Sequence, residues 1–372
     1  MIQVSHFIEI LGSKFFVGVP DSQLQALCNY LYDTYGTGVN HIIAANEGNC
    51  TAIAAGYHLA TGKVPMVYMQ NSGIGNALNP IVSLLNPKVY GIPCIFVVGW
   101  RGEPGVRDEP QHVYQGEITI SLLKEIGIPS IVLEENTSEK TFAEQFADLK
   151  PALSNGNSVA IVIKKAVLHY EKSVLYKNDY TFCREEALKR IACVCANDVI
   201  VSTTGKTSRE LWELRENMGS GHERDFLTVG SMGHASSIAL GLALHTPNKR
   251  VWCIDGDGAL LMHMGSMAVI GQYSPHNLIH IVINNGAHES VGGMPTVAAP
   301  LHLDEIASSM GYSYAVSTDS SAGLDRILKE VVQREELRFV EIKAAIASRK
   351  DLGRPTIPPS ENKSNFMAFI GE

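Results

Sequence analysis

Hydrophobic positions along this chain fall in short continuous runs separated by longer amphipathic stretches. That is the pattern of strands buried on both faces and alternating with helices. In the first half, runs at 15–19, 41–45, 66–69, 93–98 and 158–163 predict strands, the last of them closing that half. Helices are expected over 23–32, with Asp21 or Ser22 as N-cap, from Glu47 onward, and from the Gln70–Asn76 segment to Leu85. A polar stretch, 170–181, precedes a second series. There a helix over 184–196 leads into a strand at 198–202, a helix from Lys206, a strand near 226–227 and an Ala-rich helix over 236–244. Strands at 250–254, 278–283 and 339–342 follow, with helices at 303–310 and 322–333. The class is α/β, two doubly wound parallel-sheet domains over 1–175 and 176–350, and an extended C-terminal arm over 351–372.

Composition narrows the function. The 372 residues are 45% hydrophobic, enough for two sizeable cores. A net charge of −8 and no basic run longer than Lys164-Lys165 argue against a nucleic-acid surface, though not against an anion in a local basic pocket. The seven cysteines include no CxxC pair, which fits a reducing, cytoplasmic compartment. Cys193 and Cys195 alternate in an expected helix, do not share a face, and are taken as packing residues. No charged N-terminal region precedes an apolar stretch, and no apolar run is long enough for a bilayer, so neither a signal peptide nor a membrane span is expected.

The chemistry gathers at strand ends, where open α/β sheets bind ligands. Gly256-Asp257-Gly258 follows one apolar run and Asn284-Asn285 ends another, with Asp257 and Asn285 separated by 28 positions (285 − 257). A carboxylate from Asp257, an amide oxygen from Asn285 and the backbone carbonyl of Ala287 are the hard oxygens that Mg²⁺ takes when it bridges a diphosphate. The glycines let backbone approach phosphate closely. Thr203, Gly205 and Lys206 stand at another strand–helix junction, where helix N-terminal amides can hold phosphate. A P-loop is excluded, because Ile200 occupies the position of its required first glycine. Ala259 can add its amide. Glu47, in Asn46-Glu47-Gly48-Asn49, starts a helix and by itself would only complement the helix dipole.

The Gly-Asp-Gly and Asn-Asn pair resembles the binding motif of the thiamine-diphosphate-dependent decarboxylases. Longer blocks resemble the phosphonopyruvate decarboxylase family within them: Gly18–Ser22, Asn46–Asn49, Gln70–Gly73, Gly99–Gly102 with Asp108–His112, Gly230–Leu240, Asp255–Gly265 and Ile283–Gly293. The sulfopyruvate decarboxylases share much of this pattern. The resemblance implies a pyrimidine-binding domain followed by a diphosphate-binding domain, with no middle domain. It makes Glu47 the glutamate that activates the cofactor's aminopyrimidine. Ser231 and Met232 become the segment that holds the cofactor bent, against the bland reading of Met232 as core. Gln70, Asn71 and Ser72 would line the cofactor pocket. The implied reaction is conversion of 3-phosphonopyruvate to phosphonoacetaldehyde and CO₂, in phosphonate (2-aminoethylphosphonate) biosynthesis, with thiamine diphosphate and Mg²⁺. Arg101, Arg107 and His112, in one long loop, are candidates for the phosphonate. Asp21, His112 and His288 are candidate proton donors or relays. The resemblance also implies at least a homodimer, with Glu47 of one copy serving Asp257 of another. The alternatives are a sulfopyruvate decarboxylase, a carboligase, and a binding protein of the same fold without turnover.

Overall fold

A computed structural model describes residues 1–174, 176–195 and 197–371. Residue contacts divide the chain into two compact units: Met1–Tyr176 with His288–Pro295, and Lys177–Ala287 with Thr296–Glu372.

The first unit holds strands β1 (Phe16–Gly18), β2 (His41–Ile43), β3 (Met66–Gln70), β4 (Ile95–Gly99), β5 (Ser130–Leu133) and β6 (Val159–Ile163). The second holds β7 (Val199–Ser202), β8 (Asp225–Leu227), β9 (Val251–Gly256), β10 (Leu278–Asn284), β11 (Tyr314–Thr318) and β12 (Arg338–Lys343). Each set forms a six-stranded sheet, all parallel, in the orders β2-β1-β3-β4-β6-β5 and β8-β7-β9-β10-β12-β11. The second order is the first with every number raised by six, so one topology occurs twice. In each, the direction of winding reverses inside the sheet, between β1 and β3 in the first and between β7 and β9 in the second.

Central strands are buried end to end, as their unbroken apolar runs predicted. The edge strands β5 and β11 are half-exposed and went unpredicted; the polar residues of Ser130-Ile-Val-Leu and Tyr314-Ala-Val-Ser-Thr hide the strand signal. Helices Pro110–Glu125 and Glu139–Ser154 also went unpredicted. The first-unit sheet is covered by a core including Phe7, Phe16, Phe142 and Phe146, and Met294 of the returning segment packs there. The second sheet has a cluster on each face, around Trp252 and around Phe339.

Several expectations change in detail. The strand at 158–163 does not close the first half, because Leu168–His169 pairs with Ile2–Gln3. The apolar helix toward Leu85 begins with a 3₁₀ turn, Asn71–Gly73, and ends in a π turn, Ile81–Leu85, after Pro80. The helix after the polar linker runs Arg184–Val194; Ala196, its expected end, lies outside the described residues, as does Leu175 of the expected domain boundary. Cys195 is buried but Cys193 is exposed, so only the first of these packs. His112 sits in the first turn of helix Pro110–Glu125 rather than in a loop. The C-terminal arm is not simply extended: Pro359–Gly371 is a helix lying on edge strand β8. Buried Asn362 accepts from the Leu227 N–H (3.1 Å) and donates to the Asp225 carbonyl (2.8 Å), so the helix covers an edge that would otherwise pair with another chain. No helix among the described residues is long and apolar enough to cross a membrane.

Candidate active site

Each sheet presents polar groups at its reversal of winding, where the loops leaving two neighbouring strands diverge and open a crevice. In the first unit those loops follow β1 and β3. Asp21, just past β1, is the N-cap of the Ser22–Leu24 turn and accepts from the Gln23 N–H (3.0 Å). Gln70, the last residue of β3, donates its Nε2 to Asp21 Oδ1 (2.6 Å), and Ser72 donates to Gln70 Oε1 (2.7 Å). A chain Ser72–Gln70–Asp21 therefore crosses the crevice. Burial pushes the Asp21 carboxyl up to about 6, against the pull of Gln70 and the nearby Arg101. Asn71 is wholly buried and acts on backbone: its Nδ2 donates to the Arg101 carbonyl (2.8 Å) and its Oδ1 accepts the Arg101 N–H (3.1 Å).

Glu47 reaches the same crevice from helix Glu47–Thr61, whose N-cap Asn46 accepts the Gly48 N–H (2.7 Å). The carboxyl is 5% exposed, accepts from Asn76 Nδ2 (2.8 Å), and lies directly over Gly73. Burial raises its pKa, with the Asn76 hydrogen bond opposing. Among the described residues no cation balances it, so it is suited to share a proton with a ring nitrogen of a ligand. Asn76 and Gly73 were not singled out in the sequence, although both lie in or beside the polar segment opening the helix there.

The phosphonate candidates separate. Arg101 forms a two-point ion pair with Asp108, Nε to Oδ2 at 2.8 Å and Nη2 to Oδ1 at 2.5 Å, and its Nη1 donates to Ser22 Oγ (3.1 Å). The pair holds Asp108 well below the usual carboxylate range, so the charge of Arg101 is already balanced. His112 is pushed down to about 4 by burial and by Arg101, and its Nδ1 has no partner among the described residues. Arg107 is exposed. His288 belongs to the returning segment of this unit and is held at about 4 by burial.

In the second unit the diverging loops follow β7 and β9. Thr203 is buried, and Gly205 has φ 92° and ψ −139°, a conformation that favours glycine, immediately before helix Lys206–Met218. Lys206 opens that helix and donates its Nζ to Ser348 Oγ (2.7 Å). Gly256 ends β9 and Asp257 begins helix Asp257–Met262, with Gly258 and buried Ala259 in its first turn. Ser231 has φ 48°, a strained value for a non-glycine residue, in the turn that carries half-buried Met232. A Cβ on Gly233 would stand 2.8 Å from the Ala259 carbonyl, so the Ser231–Gly233 turn lies against the Gly-Asp-Gly-Ala segment.

Asp257 and Asn285 are 4% and 6% exposed. Asp257 Oδ2 accepts from Thr296 Oγ1 (2.6 Å), and the Asn285 N–H also draws on this carboxyl. Burial nonetheless pushes it up to about 6, and among the described residues no cationic side chain pairs with it. Asn285 Oδ1 accepts the Ala287 N–H (3.0 Å). A buried carboxylate without a counter-charge, beside an amide oxygen and the end of a short turn, is a donor set of hard oxygens that fits Mg²⁺. Thr296 was missed in the sequence, 39 positions from Asp257 with no strand-end motif around it.

Two family models match the chain: "Thiamine pyrophosphate enzyme, N-terminal TPP binding domain" over residues 3–123 and "Thiamine pyrophosphate enzyme, C-terminal TPP binding domain" over 203–342. The chain is 34% identical to a phosphonopyruvate decarboxylase of Streptomyces viridochromogenes, over 97% of this chain and 92% of that one. It is 32% identical to a phosphonopyruvate decarboxylase of Streptomyces hygroscopicus, over 97% and 92%. A sulfopyruvate decarboxylase of Methanosarcina acetivorans is 27% identical over 87% and 86%.

Proposed function

We propose that this chain, which belongs to the thiamine pyrophosphate enzyme family, decarboxylates 3-phosphonopyruvate to phosphonoacetaldehyde and CO₂. The observation that carries the substrate is the near full-length likeness to two phosphonopyruvate decarboxylases. Asp257, Asn285 and the Ala287 carbonyl are the Mg²⁺ ligands, and the amides around Gly256, Gly258, Ala259, Thr203, Gly205 and Lys206 receive the diphosphate. Ser231 and Met232 support the cofactor's centre, while Glu47 meets its pyrimidine. Thiamine diphosphate, when bound, supplies the nucleophile and the electron sink that loss of CO₂ from a 2-keto acid requires.

The chain's own groups divide the remaining work. Glu47 holds a proton at the pyrimidine nitrogen, in a pocket dry enough to keep that proton shared. Of the candidate acids, Asp21 is the one that keeps a proton toward neutral pH, since His112 and His288 are held at about 4. Gln70 and Ser72 orient Asp21 and line the pocket with Asn71. Arg101, Arg107 and His112 remain the candidates for the substrate's phosphonate, with Arg101 already paired to Asp108. Glu47 and the Asp257 set lie in different units, and the resemblance to the family supports a homo-oligomer, at least a dimer, whose sites combine the Glu47 unit of one copy with the Asp257 unit of another. All seven cysteines are unpaired, which supports a reducing, cytoplasmic setting.

One observation favours a second reading. Asp108 already balances Arg101, and a pocket with fewer uncompensated cations suits the singly charged sulfonate of sulfopyruvate. An aldehyde-release assay with thiamine diphosphate and Mg²⁺ decides, comparing kcat/KM for phosphonopyruvate, sulfopyruvate and pyruvate. A large preference for phosphonopyruvate is expected. A preference for sulfopyruvate keeps the chemistry and replaces the substrate, and no turnover of any of them overturns the proposal.

A further inference from the structure

Two of the three oxygens assigned to the cation come from the turn after β10, and a turn is only as accurate as the groups that hold it. Asn284, the last residue of β10, accepts the Gly286 N–H on its Oδ1 (3.1 Å) and donates Nδ2 to Glu341 Oε1 (2.7 Å). Glu341 lies on neighbouring β12, wholly buried, and its Oε2 accepts from Ser317 Oγ on β11 (2.8 Å). Ser317 and Glu341 are register partners, and Glu341 stands opposite Val282, two residues before Asn284 on the same face. A hydrogen-bonded line therefore runs across three strands, Ser317–Glu341–Asn284, and ends on the turn. From the other side, Asn178 donates Nδ2 to the Asn285 carbonyl (2.8 Å) and to the Ala344 carbonyl (2.9 Å), while the Ala344 N–H donates to the Asn284 carbonyl (2.8 Å).

A carboxylate in a sheet interior is costly to bury, and the partners of Glu341 among the described residues are the neutral donors Asn284 and Ser317 rather than a cation. We infer that Glu341 is a positioning residue for the cation site. It fixes Asn284, Asn284 fixes the Gly286 turn, and that turn aims Asn285 Oδ1 and the Ala287 carbonyl. Asn178 clamps the turn's opposite side. This rests on the reading of Asp257, Asn285 and Ala287 as Mg²⁺ ligands. What the line needs from residue 341 is geometry rather than charge. A glutamine there accepts from Asn284 through Oε1 and donates to Ser317, whose hydroxyl turns to accept. A leucine does neither and leaves the Asn284 amide unmet.

The test is Mn²⁺ titrated into the full-length protein with thiamine diphosphate, followed by the free-Mn²⁺ electron paramagnetic resonance signal, with melting curves recorded free of metal. Glu341→Leu and Asn178→Ala are expected to weaken Mn²⁺ binding about 10- to 100-fold, the usual effect of losing a group that orients a ligand. Glu341→Gln is expected to restore it to within about threefold of wild type, and kcat at saturating metal is expected to change much less than the Mn²⁺ affinity. If Glu341→Leu does not fold, Asn178→Ala carries the test. Wild-type affinity in Asn178→Ala and in any folded Glu341→Leu overturns the positioning role and leaves the cation site standing. Weak binding in wild type that Asp257→Ala does not weaken further overturns the cation site itself, and the positioning role with it.

Discussion

Gly73→Ala tests the placement of Glu47 without touching Glu47. The backbone there, φ −67° and ψ −17°, is ordinary right-handed helix that alanine adopts freely. What excludes a side chain is the glutamate: a Cβ at 73 would lie 2.6 Å from Glu47 Cγ and Oε1 and 2.8 Å from Cδ. To recover ordinary contact at 3.4 Å the carboxyl must retreat by about 0.8 Å. Asn76 holds it from another side at 2.8 Å, so the retreat also loosens that hydrogen bond. A displacement approaching 1 Å at a reacting group costs on the order of 10²-fold in rate, roughly 2.7 kcal/mol of barrier. Overpacking costs about 1–3 kcal/mol of stability, offset by ~0.4–1 kcal/mol from the stiffer unfolded chain. The melting temperature should therefore fall by only a few degrees. Gly75→Ala is the control, because nothing lies within 4 Å of its Cβ. The assay is kcat for aldehyde release at saturating thiamine diphosphate, with melting curves for both variants. Gly73→Ala with kcat within twofold of wild type would refute the dependence on Glu47's position. Equal losses in both variants would refute the steric argument.

Mixing Glu47→Gln with Asp257→Asn, each inactive alone, should restore about a quarter of wild-type activity if sites combine two copies, since half the dimers carry one intact site of two; no recovery after subunit exchange would mean that sites form within one chain. Burial raises Asp21 from 3.8 to about 6, so across that window the folded chain holds a proton that the unfolded chain has lost. Stability then falls as pH rises through the window and is flat above it. Asp21→Asn lacks this slope and should gain on wild type by up to about 3 kcal/mol above pH 6; parallel urea-midpoint curves from pH 4 to 8 would contradict the burial argument. Asn362→Ala leaves the Leu227 N–H and Asp225 carbonyl unmet beneath the C-terminal helix and should cost about 2–4 kcal/mol in urea unfolding; an unchanged midpoint would show that the helix does not secure that edge.

The central strands, the two-domain plan and the Gly-Asp-Gly and Asn-Asn strand ends were legible in the residue pattern, because strands buried on both faces must be apolar throughout and their ends must be polar. So was Asp21 as a cap, a property of a few neighbouring residues. The edge strands β5 and β11 were not, since one exposed side removes the continuous apolar signal. Nor was the C-terminal helix, whose partner strand is distant in sequence. Glu47 shows the boundary most clearly. The residue pattern by itself allowed a dipole-complementing glutamate, and only folding buried its carboxyl, set it over Gly73 and gave it Asn76. Likewise Thr296 on Asp257 and Glu341 on Asn284 depend on chain crossings that no local spacing encodes. Which residues can do chemistry was determined by side-chain type at strand ends. Which of them are buried, balanced or oriented was decided only when parallel strands far apart in the chain came to lie side by side.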